Sequence, residues 1–347
     1  MPIWQRDERA APELVRDVPF LALYEAFKAA GETTRLRILA LLSETELTVS
    51  DLTEILRQSQ PRVSRHLKLL TEAGLVARSP EGSWAFFRLA DVGPGARVIR
   101  EALADLDPAD PAIAPDRQRL SAVRTDRANA AQEYFARHAA DWDRIRRLHV
   151  ADQRVEQSIL NALSGQPYRS VLDLGTGTGR MLELLGPRIE RGLGFDLSPE
   201  MLAIARANLD RAGLRHCRVR QGDLYSLALP RNTFDVVVIH QVLHLLDDAA
   251  GAIREAAGVL RPHGRLVVVD FAPHDQEFLR VEHAHRRLGF ANETIHQWMD
   301  SAGLDLITHE SLTAEADSAA KIAISLWVGR DRRPQTTDEL TYQEAVA

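Results

Sequence analysis

The sequence predicts an α/β protein of two domains: a small helical domain closed by a β-hairpin, then a doubly wound, mostly parallel seven-stranded sheet with an antiparallel edge. Three observations predict it. Over the first ~90 residues apolar side chains recur three and four apart and give way to strand-like alternation. Three prolines in the nine residues from Asp107 to Pro115 then interrupt regular structure. Beyond Arg169, short β-branched runs alternate with helical stretches, the pattern of a parallel sheet covered by helices. The length of 347 residues fits two domains at about 150 residues each.

Phe20, Leu21, Tyr24 and Phe27 open the first helical pattern, and Leu36, Ile38, Leu39 and Leu42 continue it. Thr48 to Leu56 is the next helix. Ser59 is placed as the N-cap of the helix after it, Pro61 falls in the tolerated first turn, and Gly74 ends it. Leu75 to Leu89 alternates like a hairpin around Pro80-Glu81-Gly82. Two helices, a short turn and a hairpin in this order make a winged helix-turn-helix, assigned to residues 1–106. Val63, Leu67 and Leu70 face inward on a helical wheel, so Gln60, Arg62, Ser64, Arg65 and Lys68 face outward. Between Arg57 and Arg88 six Lys or Arg stand against Glu72 and Glu81, although the whole chain has a net charge of -6. These outward residues, with Arg78 and Arg88 on the wing, are the candidates for contacting phosphates and base edges of duplex DNA.

Residues Ala30 to Val76, with Gly31-Glu-Thr-Thr-Arg-Leu-Arg-Ile-Leu-Ala-Leu-Leu42 and Ser59-Gln-Pro-Arg-Val-Ser-Arg-His-Leu-Lys-Leu-Leu70, resemble the ArsR family of bacterial winged-helix repressors. The resemblance implies a homodimer on an operator. Metal-sensing members carry a Cys-x-Cys box where this chain has Thr48-Val-Ser50. Hydroxyls are poor ligands for soft metals, and Asp91 to Asp107 holds no histidine for a second site, so no metal is expected.

The expected linker covers residues 107–120. Residues 121–163 read as helices leading into the second domain, with Tyr134, Phe135, Trp142, Ile145, Val155 and Ile159 at helical spacing and Trp142 either interdomain core, the favoured reading, or a lid. The second domain, 164–330, contains strand-like runs at Ser170 to Leu174, Arg191 to Asp196, Arg215 to Gln221, Phe234 to His240 and Arg265 to Phe271. Asp305 to Ser311 and Ala320 to Gly329 form the antiparallel edge. A polar tail, 331–347, is expected to be disordered.

Asp173-Leu-Gly175-Thr-Gly177-Thr-Gly179 follows the first of these strands and lets a ligand approach the backbone at a helix start. Asp196, 17 residues beyond Gly179, ends the next strand, where an acid accepts from ribose hydroxyls. Asp223 and Leu224 end the third. From Tyr168 to Gly329 this arrangement is similar to the class I S-adenosylmethionine-dependent methyltransferases. The resemblance implies that Asp173, Gly175, Gly177 and Gly179 surround the methionine part, Asp196 with Leu197 the ribose, and Asp223 with Leu224 the adenine. His240, in the strand-to-loop segment Phe234 to His244, falls beside the methyl group. The ligand implied is S-adenosylmethionine or S-adenosylhomocysteine.

Catalysis stays open. A sulfonium needs only alignment and a dry pocket when the acceptor is already nucleophilic, whereas an oxygen acceptor is helped by a base, for which His240 and His244 are the candidates. His283 and His285, taken as i and i+2 on a helix, diverge too far for a metal. Arsenite methylation requires several thiols, and Cys217 is alone. One cysteine, no apolar N-terminal core of signal-peptide length and no long apolar run give the expectation of a cytoplasmic protein without a membrane span. The favoured reading is an ArsR-type regulator whose methyltransferase domain senses an S-adenosyl ligand. The alternative is a small-molecule methyltransferase with a fused autoregulatory DNA-binding module. In a third reading the winged helix only dimerises.

Overall fold

The computed structural model describes residues 19–81, 83–90, 93, 95–139, 152–312 and 322–334. Trp142, Ile145, the N-terminal segment up to residue 18 and the tail from residue 335 lie outside them. The chain divides into two compact units, one made of the residues up to Ser79 with Ala85–Ser121, the other of Pro80–Trp84 with Ala122–Ala347.

In the first unit α1 (Phe20–Ala30) and α2 (Thr33–Glu44) precede a two-residue strand β1 (Leu47–Thr48), α3 (Val49–Leu56) and α4 (Gln60–Glu72). The strands β2 (Val76–Glu81) and β3 (Trp84–Leu89) follow, with Pro80, Glu81 and Trp84 counted to the second unit, then α5 (Ala96–Ala104). The sheet order is β1-β3-β2, so β1, which periodicity could not show in two residues, completes the wing by pairing antiparallel with β3. Ile38, Leu39, Leu52, Ile55, Val63, Leu67, Leu70 and Phe86 fill the core. The first helix departs from a core reading of its pattern: Phe20 is 80% exposed, Leu21 72%, Tyr24 52% and Phe27 49%.

Residues 107–120 are not an irregular linker throughout. Turns reach Ile113, and α6 (Ala114–His138) then starts with Pro115 in its first turn, where the missing N–H costs nothing. Asp116, buried, accepts from Arg37 Nε and Nη2 at 2.6 and 2.7 Å. From Ala122 onward α6 belongs to the second unit.

That unit continues with α7 (Asp152–Ala162), β4 (Ser170–Leu174), α8 (Arg180–Leu185), β5 (Arg191–Asp196), α9 (Pro199–Arg211), β6 (Cys217–Gln221) and β7 (Phe234–His240). Then come α10 (Ala249–Val259), β8 (Leu260–Phe271), α11 (Phe278–Glu282), α12 (Asn292–Ser301), β9 (Leu304–Leu312) and β10 (Ile324–Asp331). They form a seven-stranded sheet ordered β6-β5-β4-β7-β8-β10-β9. The five strands from β6 to β8 are mutually parallel, and β10 runs antiparallel between β8 and β9. One apolar cluster, including Val171, Leu182, Leu202, Val236 and Val267, packs one face; the other, with Leu172, Val237, Ile253, Val268 and Trp327, packs the opposite face. The alternation of Val236 to Ile239 and of Leu266 to Val269 feeds both layers, as a doubly covered strand requires. β10 extends through Asp331, so the polar tail begins later than its composition suggests. No helix among the described residues is long and apolar enough to cross a membrane.

Candidate functional site

A cavity of about 520 Å³ opens at the C-terminal ends of the parallel strands, the position where doubly wound sheets bind ligands. Its floor is the turn after β4. Gly175 and Thr176 donate their N–H groups to Phe195 O at 2.8 and 2.9 Å. Gly175 has φ +73°, and a Cβ there falls 2.3 Å from Val242 Cγ2; only glycine lets this turn line the cavity. Asp173, 1% exposed, accepts from the Thr176 hydroxyl at 2.6 Å. At the end of β5, Asp196 accepts from Gly177 N at 2.8 Å and from Ser198 N at 2.9 Å. Burial pushes its carboxyl above the usual range, and the N–H donors of Ser198, Gly177 and Leu197 offset this only in part.

Asp173, Gly175, Gly177, Asp196, Leu197, Leu224 and His240 all line this cavity. Gly179, Asp223 and His244 are not among its lining residues, each for a local reason. Gly179 (φ +86°) is the N-cap of α8, and a Cβ there meets Ala205 Cβ at 3.2 Å, so it serves the packing of α8 on α9. Asp223 is exposed and accepts from Tyr225 N at 2.9 Å, which closes its own turn. His244 is 4% exposed; its Nδ1 lies 2.8 Å from Asp270 Oδ1 and its ring packs on His285 at 4.2 Å. It is thus a buried support, and His240 and His285 are the histidines on the wall.

Several wall residues escape a reading of the sequence alone. Arg127, Ala130, Ala131, Tyr134 and Phe135 of α6 form one wall. Their spacing of i, i+3, i+4, i+7 and i+8 makes a helical stripe, but a stripe does not say whether it faces core or ligand. The Tyr134 hydroxyl is 2.7 Å from His283 Nδ1. Because α11 stops at Glu282 and Ala284 is left-handed (φ 57°), His283 and His285 do not share a helix. Among the described residues no His, Cys, Asp and Glu cluster suits a metal. Arg180, also on the wall, is held by both Glu156 oxygens at 2.7 Å, which raises its pKa further. Tyr225 lines the cavity too; burial raises its phenol, whose oxygen accepts from Asp248 N at 3.0 Å.

In the first unit, α4 buries Val63, Leu67 and Leu70 and exposes Gln60, Arg62, Ser64, Arg65 and Lys68, with Arg78 also exposed on β2. Ser59 occupies the N-cap, but its side chain makes no capping hydrogen bond. Arg88 differs from the expectation of a free wing cation: it is half-buried, with Nε 3.7 Å from Glu46 Oε1. At the start of α3, Thr48 Oγ1 accepts from Asp51 N at 3.2 Å while Asp51 accepts from Thr48 N at 2.9 Å, a reciprocal capping box.

Comparison with known proteins matches residues 32–78 to the family described as bacterial regulatory protein, arsR family, and residues 172–268 to a methyltransferase domain. The arsenical resistance operon repressor of Escherichia coli is 46% identical over 86 residues, covering 24% of this chain and 74% of the repressor. The methyltransferase YcgJ of Bacillus subtilis is 34% identical over 120 residues, 33% of this chain and 47% of YcgJ. A demethylmenaquinone methyltransferase of Thermus thermophilus is 34% identical over 143 residues, 40% of this chain and 64% of that enzyme. The chain thus spans about half of YcgJ and just under two thirds of the Thermus enzyme. A chain of the complex between the Haloferax volcanii Trm112 methyltransferase activator and a methyltransferase shares the fold, with TM-score 0.51, 21% identity, and coverage of 59% of this chain and 99% of that one. The chain therefore belongs to the arsR family of bacterial regulatory proteins and carries, after its winged helix, a methyltransferase domain of the S-adenosylmethionine-dependent class.

Proposed function

We propose that the protein is a transcriptional regulator that binds an operator as a homodimer through α4 and takes S-adenosylmethionine or S-adenosylhomocysteine in its methyltransferase cavity as effector. The observation that carries the reading is the Asp196 carboxylate beside the Gly175 turn, in a chain whose α4 leaves Arg62, Arg65 and Lys68 open to DNA. The carboxylate is set to take a ribose diol in place of the Gly177 N–H. Dimerisation is supported by Phe20, Leu21, Tyr24 and Phe27 on α1, an exposed apolar patch among the described residues. The reading places the protein in the cytoplasm, with its operator.

An effector shifts DNA binding only if it binds the two conformations unequally. The test is operator affinity, at fixed salt, without ligand and with saturating S-adenosylmethionine or S-adenosylhomocysteine. The expected result is a change of about tenfold with one of them, roughly 1.4 kcal/mol of coupling. Operator affinity indifferent to both overturns the reading. A second reading, methyl transfer to a small acceptor, is favoured by His240 and His285 on the same wall. Its signature is conversion of S-adenosylmethionine to S-adenosylhomocysteine that requires an added acceptor.

A further inference from the structure

One edge of the large sheet is β6, and the segment from α9 into this strand is strongly basic. Residues 206–221 hold Arg206, Arg211, Arg215, Arg218 and Arg220 against the single acid Asp210, in a chain of net charge -6. All five arginines are exposed. Alternation along the strand explains Arg218 and Arg220: Cys217 and Val219 point into the cluster beneath α9 with Leu202, Ala205 and Leu209, so the arginines stand on the opposite face. Arg211 and Arg215 flank the turn that leads into the strand. Among the described residues none of Arg211, Arg215, Arg218 and Arg220 is engaged by a carboxylate; Arg211 reaches only the Asn208 amide oxygen, at 3.3 Å.

Charge on an edge strand also discourages pairing with another chain, a role that does not account for Arg211 and Arg215, which precede the strand. Four guanidiniums left without carboxylates on one strand and its entry turn form a surface complementary to a polyanion, since guanidinium donors match phosphate oxygens. We propose that this arginine strip of the methyltransferase domain is a second DNA-binding surface, which holds the phosphate backbone of duplex flanking the operator without reading its sequence. The proposal rests on the operator-binding reading above and adds a contact that the winged helix does not supply.

The test uses the full chain and two duplexes, a minimal operator and the same operator extended on both sides, titrated over a range of salt. Each phosphate neutralised adds about 0.9 to the slope of log affinity against log salt, or about 3.5-fold in affinity between 50 and 200 mM. Wild type is expected to bind the extended duplex more tightly and with a steeper slope. The variant R211A/R215A/R218A/R220A is expected to keep its affinity for the minimal operator and to lose the gain from the flanks, its slope falling by about 2 to 4 for each strip that the flanks engage. Retained minimal-operator binding certifies the winged helix of the variant, and an unchanged S-adenosylhomocysteine affinity certifies its methyltransferase domain. An unchanged slope and length dependence overturns the proposal, as does a strip-dependent gain found on single-stranded RNA but not on duplex flanks. If wild type fails on the minimal operator, the operator reading fails by itself. The strip is then read on duplex of arbitrary sequence, where the same loss of slope supports it and its absence overturns it.

Discussion

Gly175→Ala places the physical argument for the cavity floor under direct test. The residue has φ +73°, and the added methyl arrives 2.3 Å from Val242 Cγ2, well inside the ~3.5–4.0 Å at which carbons rest. Two costs follow. The left-handed backbone costs a residue with a Cβ about 1–2 kcal/mol, and overpacking adds about 1–3 kcal/mol. G175A is therefore expected to destabilise the methyltransferase domain by about 2–5 kcal/mol. Chemical denaturation of wild type, G175A, V242A and the double variant separates the two costs. Val242→Ala removes the clashing methyls but not the backbone strain, so the double variant should lie only about 1–2 kcal/mol below V242A. G175A within about 0.5 kcal/mol of wild type, or a double variant whose losses simply add, refutes the reasoning.

Arg62→Ala with Arg65→Ala should reduce the salt slope of operator binding by about 0.9 for each phosphate no longer neutralised, whereas Arg88→Ala, whose partner is Glu46, should leave it unchanged; an equal drop for R88A contradicts the assignment. Burial raises the Asp196 carboxyl and a ribose diol favours its charged form, so S-adenosyl affinity should fall as pH drops through that raised value, with a proton released on binding. Calorimetry in buffers of different ionisation enthalpy reads that proton, and a buffer-independent heat there counts against it. Burial also lowers His283, with His138 adding to the effect and Glu282 opposing it. As pH falls through about 6.5 the unfolded chain takes the proton first, so native stability is lost from there down. His283→Gln should flatten that slope, and an unaltered slope assigns it elsewhere. The Cys217 thiol is buried and pushed up to about 11, so a thiol reagent at neutral pH should label it only on unfolding; rapid labelling of the native protein contradicts this.

The sheet is legible in the sequence because each strand carries its own pattern and each glycine of the β4 turn its own constraint. The strand read from Arg265 begins instead at Leu260. Its Pro262, His263 and Gly264 look like a turn, yet the structure absorbs them in a register shift opposite Phe234 and Val236. The α1 stripe announces an apolar face but not that the face stays open, since periodicity reports amphipathicity and not the partner. His244 departs from its expected place at the reacting group because its position after β7 depends on the left-handed Gln241 (φ 54°), after which the chain delivers the ring to Asp270. Asp223 stands where the resemblance puts an adenine contact, but its carboxylate caps the turn to Tyr225. In both cases a tertiary detail a few residues long decides which way a polar side chain points.

The capping box at α3 bears on what the regulator senses. Where metal-responsive members of the family carry a thiolate pair, Thr48 and Ser50 stand here, and Thr48 is 6% exposed with its hydroxyl taken by Asp51 N. A cap of this kind contributes about 1 kcal/mol to its helix, so the position supports the fold of the reading domain. The tenfold change proposed for operator affinity requires about 1.4 kcal/mol of differential affinity between the two conformations. A ligand held by several contacts can supply it. The cavity that holds Asp173, Asp196 and the Gly175 turn offers a nucleoside-sized ligand both charged acceptors and apolar wall. On the proposed reading, the DNA-reading helix of the family is kept and a metabolite bound in this cavity takes the place of a metal as the input.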